Sequence, residues 1–206
     1  MQSISTLSYY LLPPSTQSLQ TIKQCLHYDP DSKPCKAFHK LIRSNDKQLK
    51  QLDAALEASD WRQVLQLVVT PSKGLAEKFD KDMAAALEQL PTLQLDEPLV
   101  LPASIKPKTM SPLRAKLIQA ACKAYLKGGE IRRAEKWCDE LLKMKDHEKD
   151  EDALVAKGEM ALKKEEWEEA VRLFNDAFEA GGRSSQDVSG LERICPLLCA
   201  DVEFAS

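Results

Sequence analysis

Apolar residues recur every three or four positions through much of the chain, which is the spacing of one face of an α-helix. Between residues 113 and 178 this spacing predicts two pairs of helices, each pair joined by a short polar turn. Few residues alternate with the period of a strand, so the sequence predicts an all-α fold. The apolar positions of the first pair are Leu113, Leu117, Ile118, Ala121, Tyr125, Ile131, Ala134, Cys138, Leu141 and Leu142; those of the second are Ala153, Leu154, Ala156, Gly158, Ala161, Trp167, Ala170, Val171, Phe174, Ala177 and Phe178.

The two predicted hairpins repeat one another, as in proteins built from stacked repeats. Small and large residues in the second hairpin stand at the spacings of a tetratricopeptide (TPR) repeat, with small Gly158 expected opposite small Ala170. Ala134 and Ala170 are 36 residues apart, against a usual TPR period of about 34; the charged run at 145–150 accommodates the difference. The residues predicted to pack the repeats are Tyr125, Ala134, Gly158, Ala161, Trp167, Ala170, Phe174 and Ala177.

Two weaker hairpins are predicted before these. The first ends at Asp29-Pro30, and the second begins near Ser32 and includes Asp60-Trp61, which mirrors Glu166-Trp167. Five prolines between residues 91 and 112 predict a long extended loop that interrupts the array. The expectation is a right-handed superhelical array of three to four TPR hairpins over residues 1–182, some of them degenerate, and a tail without repeats at 183–206.

The composition excludes several classes of protein. Of the 206 residues, 43% are hydrophobic and 30% charged, and the net charge is −3, so no basic field points to nucleic acid. The uncharged stretch at the start of the chain is broken by Pro13 and Pro14 and predicts no membrane insertion. It also lacks the positive charge and continuous apolar block of a secretory signal.

Several segments together resemble a known family. They are the long helix after Cys35, the hairpin between Cys122 and Cys138, the repeat that begins at Glu166, and the run Cys25-Leu26-His27-Tyr28-Asp29-Pro30-Asp31-Ser32-Lys33-Pro34-Cys35. They are similar to the later TPR repeats of the TPR and J-domain co-chaperones of the endoplasmic reticulum, whose animal member was first described as an inhibitor of the interferon-induced protein kinase. The proline-bearing insertion and the segment at 182–187 resemble the fungal branch. The resemblance covers about residues 2–187.

The resemblance implies a scaffold that binds unfolded or misfolded polypeptides and assists folding by the lumenal Hsp70, BiP. Members of the family carry a signal peptide, earlier repeats and a J domain with a His-Pro-Asp tripeptide, and this sequence has no His-Pro-Asp. We therefore expect the chain to be a fragment or a truncated gene model, whose full-length protein resides in the endoplasmic reticulum lumen. The fragment alone is not expected to stimulate the Hsp70 ATPase.

The resemblance also implies two disulfides, Cys25 with Cys35 and Cys122 with Cys138. The alternative is four buried free thiols that pack as small hydrophobic residues, as in a cytosolic protein. The oxidising compartment of the family favours the disulfides. Cys195 and Cys199 lie beyond the resemblance, and no histidine near them completes a zinc site.

No set of residues indicates catalysis, and no cofactor is expected. His27, His39 and His147 are scattered along the chain, and His147 lies in a charged loop where it is expected to be solvated. The glutamates at 165–169 are predicted to be the solvent face of a helix. The three tryptophans, Trp61, Trp137 and Trp167, are predicted to pack between helices.

Two functions remain: the co-chaperone scaffold, and a cytosolic TPR adaptor that binds the C-terminal peptide of Hsp70 or Hsp90. The adaptor needs several donors converging on a carboxylate from successive first helices. The acidic Asp152 and Glu159 at these places would repel a carboxylate, so the scaffold is favoured. The possible partner groove consists of Lys116, Gln119, Lys123, Asp152, Val155 and Glu159.

Overall fold

The computed structural model describes residues 2–12, 16–71, 74–88 and 107–181, and every regular element in these ranges is a helix. None of the described helices is both long and apolar enough to span a membrane. The helices are α1 (Gln2–Leu11), α2 (Thr16–Tyr28), α3 (Lys33–Glu57), α4 (Trp61–Val69), α5 (Leu75–Glu88), α6 (Pro107–Met110), α7 (Pro112–Lys127), α8 (Ile131–Leu141), α9 (Glu151–Lys163) and α10 (Trp167–Ala180).

Eight of these helices form four antiparallel-type hairpins of the kind predicted from the sequence. The hairpins are α1 with α2, α3 with α4, α7 with α8 and α9 with α10, and each second helix packs on the first helix of the next hairpin. The predicted all-α array of TPR hairpins is therefore confirmed. The long helix α3 begins directly after Ser32 and α2 ends directly before Asp29-Pro30.

The same turn joins the two helices in three of the hairpins. One residue adopts a left-handed conformation, namely Ser59 (φ 55°), Gly129 (φ 74°) or Glu165 (φ 62°). The N–H of the next residue then donates to a carbonyl five residues earlier, as Asp60 does to Ala55 at 2.9 Å. This recurrence shows that the repeats share local backbone geometry even where their side chains differ.

Small side chains fill the helix contacts, because close approach of two backbones leaves no room for larger ones. Ala134 and Ala170 are completely buried. At Gly158, an added Cβ would lie 2.8 Å from Cζ of Phe174. The close approach there is therefore with the Phe174 ring, whereas Ala170 was predicted to lie opposite this glycine.

The segment between the second and third hairpins differs from the sequence prediction. Helix α5 was not predicted, although Leu75, Phe79 and Met83 bury one face of it at a spacing of four residues. The end of the expected loop at 91–112 is helical, because α6 and the start of α7 fall within it. Residues 91–106 and the expected tail at 183–206 lie outside the described residues.

An aromatic cluster attaches α5 to the first half of the array. The ring of Phe79 lies 5.2 Å from that of Tyr10 and 6.4 Å from that of Tyr9, and Phe38 of α3 completes the cluster. Burial raises the pKa of Tyr9 to about 12 and raises that of Tyr10 as well. Because α5 also contacts α4 and α7, it connects the second hairpin to the third.

Candidate partner-binding groove

The six groove residues expected from the sequence lie on two adjacent first helices. Lys116, Gln119 and Lys123 follow one another along α7 at helical spacing, and Asp152, Val155 and Glu159 do the same on α9. All six side chains are partly exposed, and the two helices are in contact. The structure therefore brings them together on one surface, which we call the groove face.

One ion pair links the two helices of the groove face to each other, and a second links the groove face to α3. Lys123 Nζ lies 3.2 Å from Asp152 Oδ2, linking α7 to α9. Lys116 Nζ lies 2.6 Å from Asp53 Oδ1, linking α7 to α3. Both pairs are about half exposed, so each contributes only about 0.2–1 kcal/mol to stability. Their main effect is on binding, because each lysine is already paired with a carboxylate.

A polar contact at the end of the groove face fixes the start of α9. Gln119 Nε2 donates to Asp150 Oδ2 at 3.0 Å, while Asp150 Oδ1 accepts the N–H of Ala153 as the N-cap of α9. His147 Nδ1 lies 3.5 Å from the same Oδ2. His147 is thus half-buried against the cap of α9, and not the solvated loop residue that the sequence predicted.

A buried arginine that was not predicted from the sequence lies at the start of α7. Arg114 is held in the first turn of α7, where Ser111 caps the helix by accepting the Arg114 N–H. Its Nε and Nη2 donate to Asp80 Oδ1 and Oδ2 at 2.7 and 3.1 Å. Nη2 also donates to Glu140 Oε1, and Nη1 donates to the carbonyl of Lys108.

Arg114 forms a buried ion-pair network with Asp80 and Glu140, since the Arg114 side chain is only 9% exposed. Burial acts to lower the pKa of Arg114, but hydrogen bonds and charge from Asp80 and Glu140 outweigh burial and raise the pKa. The sequence carried one signal for it: Arg114 stands at helical spacing with Ile118, Ala121 and Tyr125, on a face that is otherwise apolar.

The structure pairs the cysteines that the resemblance implied. Cys25 and Cys35 have Sγ atoms 1.97 Å apart, and the Sγ atoms of Cys122 and Cys138 are 2.11 Å apart. Their Cα atoms are 6.4 and 5.2 Å apart, within the range that a disulfide requires. The bonds in the mature protein remain a prediction. Cys195 and Cys199 lie outside the described residues.

The residues expected to pack the repeats are buried with one exception. Trp167 is 54% exposed, whereas Trp61 and Trp137 are half-buried against the core. The expectation that Trp167 packs between helices is therefore wrong for the described residues. The buried members are Tyr125, Ala134, Gly158, Ala161, Ala170, Phe174 and Ala177.

The described residues offer no metal centre. No group of three or more His, Cys, Asp or Glu side chains within 2–12, 16–71, 74–88 and 107–181 is arranged to hold an ion. The Arg114 guanidinium is buried and is bonded to Asp80 and Glu140, whose side chains are 29% and 35% exposed. Among the residues singled out from the sequence, the six of the groove face are partly exposed and lie on two helices in contact.

Comparison with known proteins agrees with this picture. A protein of Cryptococcus neoformans var. grubii named Tetratricopeptide repeat and J domain-containing co-chaperone DNJ1 is 37% identical over 186 residues, which are 90% of this chain and 34% of the relative. Its namesake in Mycosarcoma maydis is 33% identical over 196 residues, 91% of this chain and 33% of the relative. The chain is homologous to fungal TPR and J-domain co-chaperones.

A solved structure supports the TPR fold of this chain. The crystal structure of the TPR domain of P58(IPK) superposes with a TM-score of 0.58 at 21% sequence identity, covering 96% of this chain and 45% of the solved one. No family model matches the chain. The chain spans about one third of the length of the curated relatives it matches.

Proposed function

We propose that this chain is the polypeptide-binding TPR scaffold of a DnaJ-type co-chaperone that assists the lumenal Hsp70 of the endoplasmic reticulum. Its homologues are named as TPR and J-domain co-chaperones, which supports a binding role. The observation that carries the proposal is the groove face, which joins α3, α7 and α9 through ion pairs between successive first helices.

The chemistry of the groove face suits an extended polypeptide. Its charges are mixed in sign, so it carries no field that selects one terminal charge. Partly exposed Val155 lies between Asp152 and Glu159 on α9 and offers apolar contact beside hydrogen-bonding groups. An unfolded chain presents the same mixture of apolar side chains and peptide groups.

The adaptor alternative is not supported by the geometry. A terminal carboxylate needs several donors with no competing acceptor, whereas Lys116 and Lys123 each lie within 3.2 Å of an aspartate. A bound carboxylate would have to displace Asp53 or Asp152 from these lysines. The groove face therefore favours the scaffold.

The location in the endoplasmic reticulum is part of the proposal. It is supported by the two cysteine pairs, whose Sγ atoms lie within bonding distance, since disulfides persist in oxidising compartments. The partnership with Hsp70 is proposed through a J domain, which the names of the relatives include; these 206 residues contain no His-Pro-Asp.

The test is suppression of aggregation of a reduced, unfolded protein by the purified oxidised chain. We expect suppression at a near-stoichiometric ratio, and a loss of it in Val155→Glu, which puts a third carboxylate of α9 on the groove face, beside Asp152 and Glu159. Ala84→Glu adds the same charge at an exposed site on α5 and should leave suppression unchanged. Equal suppression by both variants would place the client elsewhere.

Two further measurements separate the alternatives. A peptide with a free C-terminal carboxylate should bind no better than its C-terminal amide, and a clear preference for the carboxylate would favour the adaptor. The chain alone should not accelerate ATP hydrolysis by the lumenal Hsp70, and acceleration would show that stimulation does not require a J domain in this protein.

A further inference from the structure

Three large apolar side chains are exposed along one side of α10. Trp167 is 54%, Val171 37% and Phe178 55% exposed. Their separations of four and seven residues place them on one face of the helix, in line with the buried ring of Phe174. Apolar side chains that are exposed side by side, and not scattered singly, are a mark of protein interaction sites. We call these three residues the α10 stripe.

The corresponding face is covered in the other hairpins of the array. Helix α4 is covered by α7, and α8 is covered by α9. Trp61 begins α4 after the acidic N-cap Asp60, as Trp167 begins α10 after Glu166, yet Trp61 is half-buried against the core that includes α7. The α10 stripe thus has the composition and position of a surface on which a helix docks, and α10 is the last helix of the described residues.

The negative charge beside the α10 stripe determines which kind of partner can bind there. Residues 165–179 contain six acidic residues and one arginine, a net charge of −5, whereas the whole chain has a net charge of −3. The arginine, Arg172, is already paired with Glu169 at 2.6 Å. Exposed Glu168 and Glu179 directly follow Trp167 and Phe178 in the sequence, so they border the stripe on its solvent side.

Two occupants are disfavoured by this charge. Two copies docking α10 on α10 would bring one acidic surface against another. Residues 182–206 carry two arginines and four acidic residues, so their net charge has the same sign as that of α10. A partner with basic side chains is complementary to the surface.

The array itself shows the arrangement that such a partner would use. Where α9 packs on α8, lysines of α9 and of the residue directly after it pair with carboxylates of α8. Lys157 Nζ lies 3.0 Å from Asp139 Oδ1, and Lys164 Nζ lies 2.9 Å from Glu135 Oε1. We propose that the α10 stripe binds an amphipathic helix of a partner protein, with large apolar residues at spacings of three and four flanked by Lys or Arg.

The proposal is tested with two synthetic 18-residue helical peptides that share one leucine stripe. One carries lysine on the flanks of the stripe and the other carries glutamate at the same places. Fluorescence anisotropy against the oxidised full chain should show the lysine peptide binding at least about tenfold tighter. Its affinity should fall severalfold between 50 and 300 mM salt, because exposed charge pairs are screened.

Variants locate the binding surface. Trp167→Ala with Phe178→Ala should weaken the lysine peptide at least tenfold, and Glu168→Gln with Glu179→Gln should weaken it severalfold and reduce its salt dependence. Tyr28→Ala and Glu57→Gln remove an exposed aromatic ring and an exposed charge on α2 and α3, and both should leave binding unchanged.

Three results would overturn the proposal. Equal affinity for the two peptides would mean that charge does not select the occupant. A dimer that dissociates in the Trp167→Ala, Phe178→Ala variant would identify a second copy as the occupant. A fall of more than about 4 °C in the Tm of that variant would show that the stripe is covered within the chain itself, because loss of exposed side chains has little effect on Tm.

Discussion

Arg114 of α7 and Asp80 of α5 form a two-point ion pair across 34 residues of sequence, with N–O distances of 2.7 and 3.1 Å. The pair fixes the inserted helix α5 against the third hairpin. The same guanidinium bonds Glu140 of α8 and the carbonyl of Lys108 in α6, so one side chain joins α7 to three other helices. A planar guanidinium can do this because its donors point in several fixed directions.

Replacing Arg114 by methionine should therefore destabilise the chain. The variant leaves Asp80 and Glu140 as neighbouring carboxylates without their cation, and we expect a loss of about 2–3 kcal/mol. Denaturant unfolding followed by circular dichroism measures the change. Arg172→Met removes an exposed arginine that is paired with Glu169, and this control should change stability by less than about 0.5 kcal/mol. Equal losses in the two variants would contradict the structural role of Arg114.

Asp82 on α5 should make the chain less stable as pH rises from the acid range. Its Oδ2 is buried and has no hydrogen-bond partner among the described residues. Burial raises the pKa of its carboxyl above the ordinary 3.8, against the opposing charge of Lys78. Because the folded chain holds this proton more tightly than the unfolded chain, the contribution of Asp82 to the free energy of unfolding falls as pH rises from 3.8 through the raised pKa.

Asp82→Asn should remove that loss and flatten this part of the pH dependence. We expect a gain of about 0.5 kcal/mol at pH 7, small because the carboxyl is partly screened by solvent. Burial raises the pKa of Asp46 in the same direction, so the double Asp46→Asn, Asp82→Asn variant should flatten the curve further. Thermal unfolding between pH 4 and 7 gives the measurement, and an unchanged profile would show that neither carboxyl is desolvated.

Gly158 should tolerate no large side chain. Because a Cβ there would meet the Phe174 ring at 2.8 Å, Gly158→Leu should destabilise by roughly 2–3 kcal/mol through overpacking. Lys163→Leu adds leucine at an exposed site on the same helix and should have little effect. In a Phe174→Leu background the further cost of Gly158→Ala should be smaller than in the native chain; a cost that does not change would mean that the ring is not the obstacle.

Reduction should act mainly through the Cys122–Cys138 pair. Both side chains are buried between α7 and α8, and a bridge spanning 16 residues contributes about 3 kcal/mol on the chain-entropy model. The Cys25–Cys35 bridge closes a shorter loop that Pro30 and Pro34 already stiffen, so its removal should cost less. Denaturant unfolding of the two double Cys-to-Ala variants measures the contribution of each bridge.

Non-reducing peptide mapping of protein expressed in the endoplasmic reticulum shows which cysteines are bonded. Free thiols at all four positions would remove this support for a lumenal location.

Local physical chemistry accounts for what the sequence predicted correctly. The 3.6-residue period of apolar residues identified the faces of α7 to α10, and Pro30 and Ser32 marked the boundary between α2 and α3. These features depend on residues a few positions apart, so they can be recognised without knowing how the helices are arranged.

The missed elements depend on contacts between distant parts of the chain. Helix α5 has an apolar face, but its connection to the array through Phe79 and Asp80 involves Tyr10 and Arg114, far before and after it in sequence. The period of apolar residues along a helix shows which of its faces is buried, but it does not show which other helix covers that face.

By itself, the sequence determined the helical hairpins, the approximate repeat length and the small residues at helix contacts, because periodicity and turn chemistry act over short distances. Only the tertiary structure decided that Arg114 is buried between Asp80 and Glu140, that the groove lysines face Asp53 and Asp152, and that Trp167 is exposed while Trp61 is half-buried. The physical reason is that the energy of a charge or an aromatic ring depends on the surface opposite it, and the path of the whole chain sets that surface.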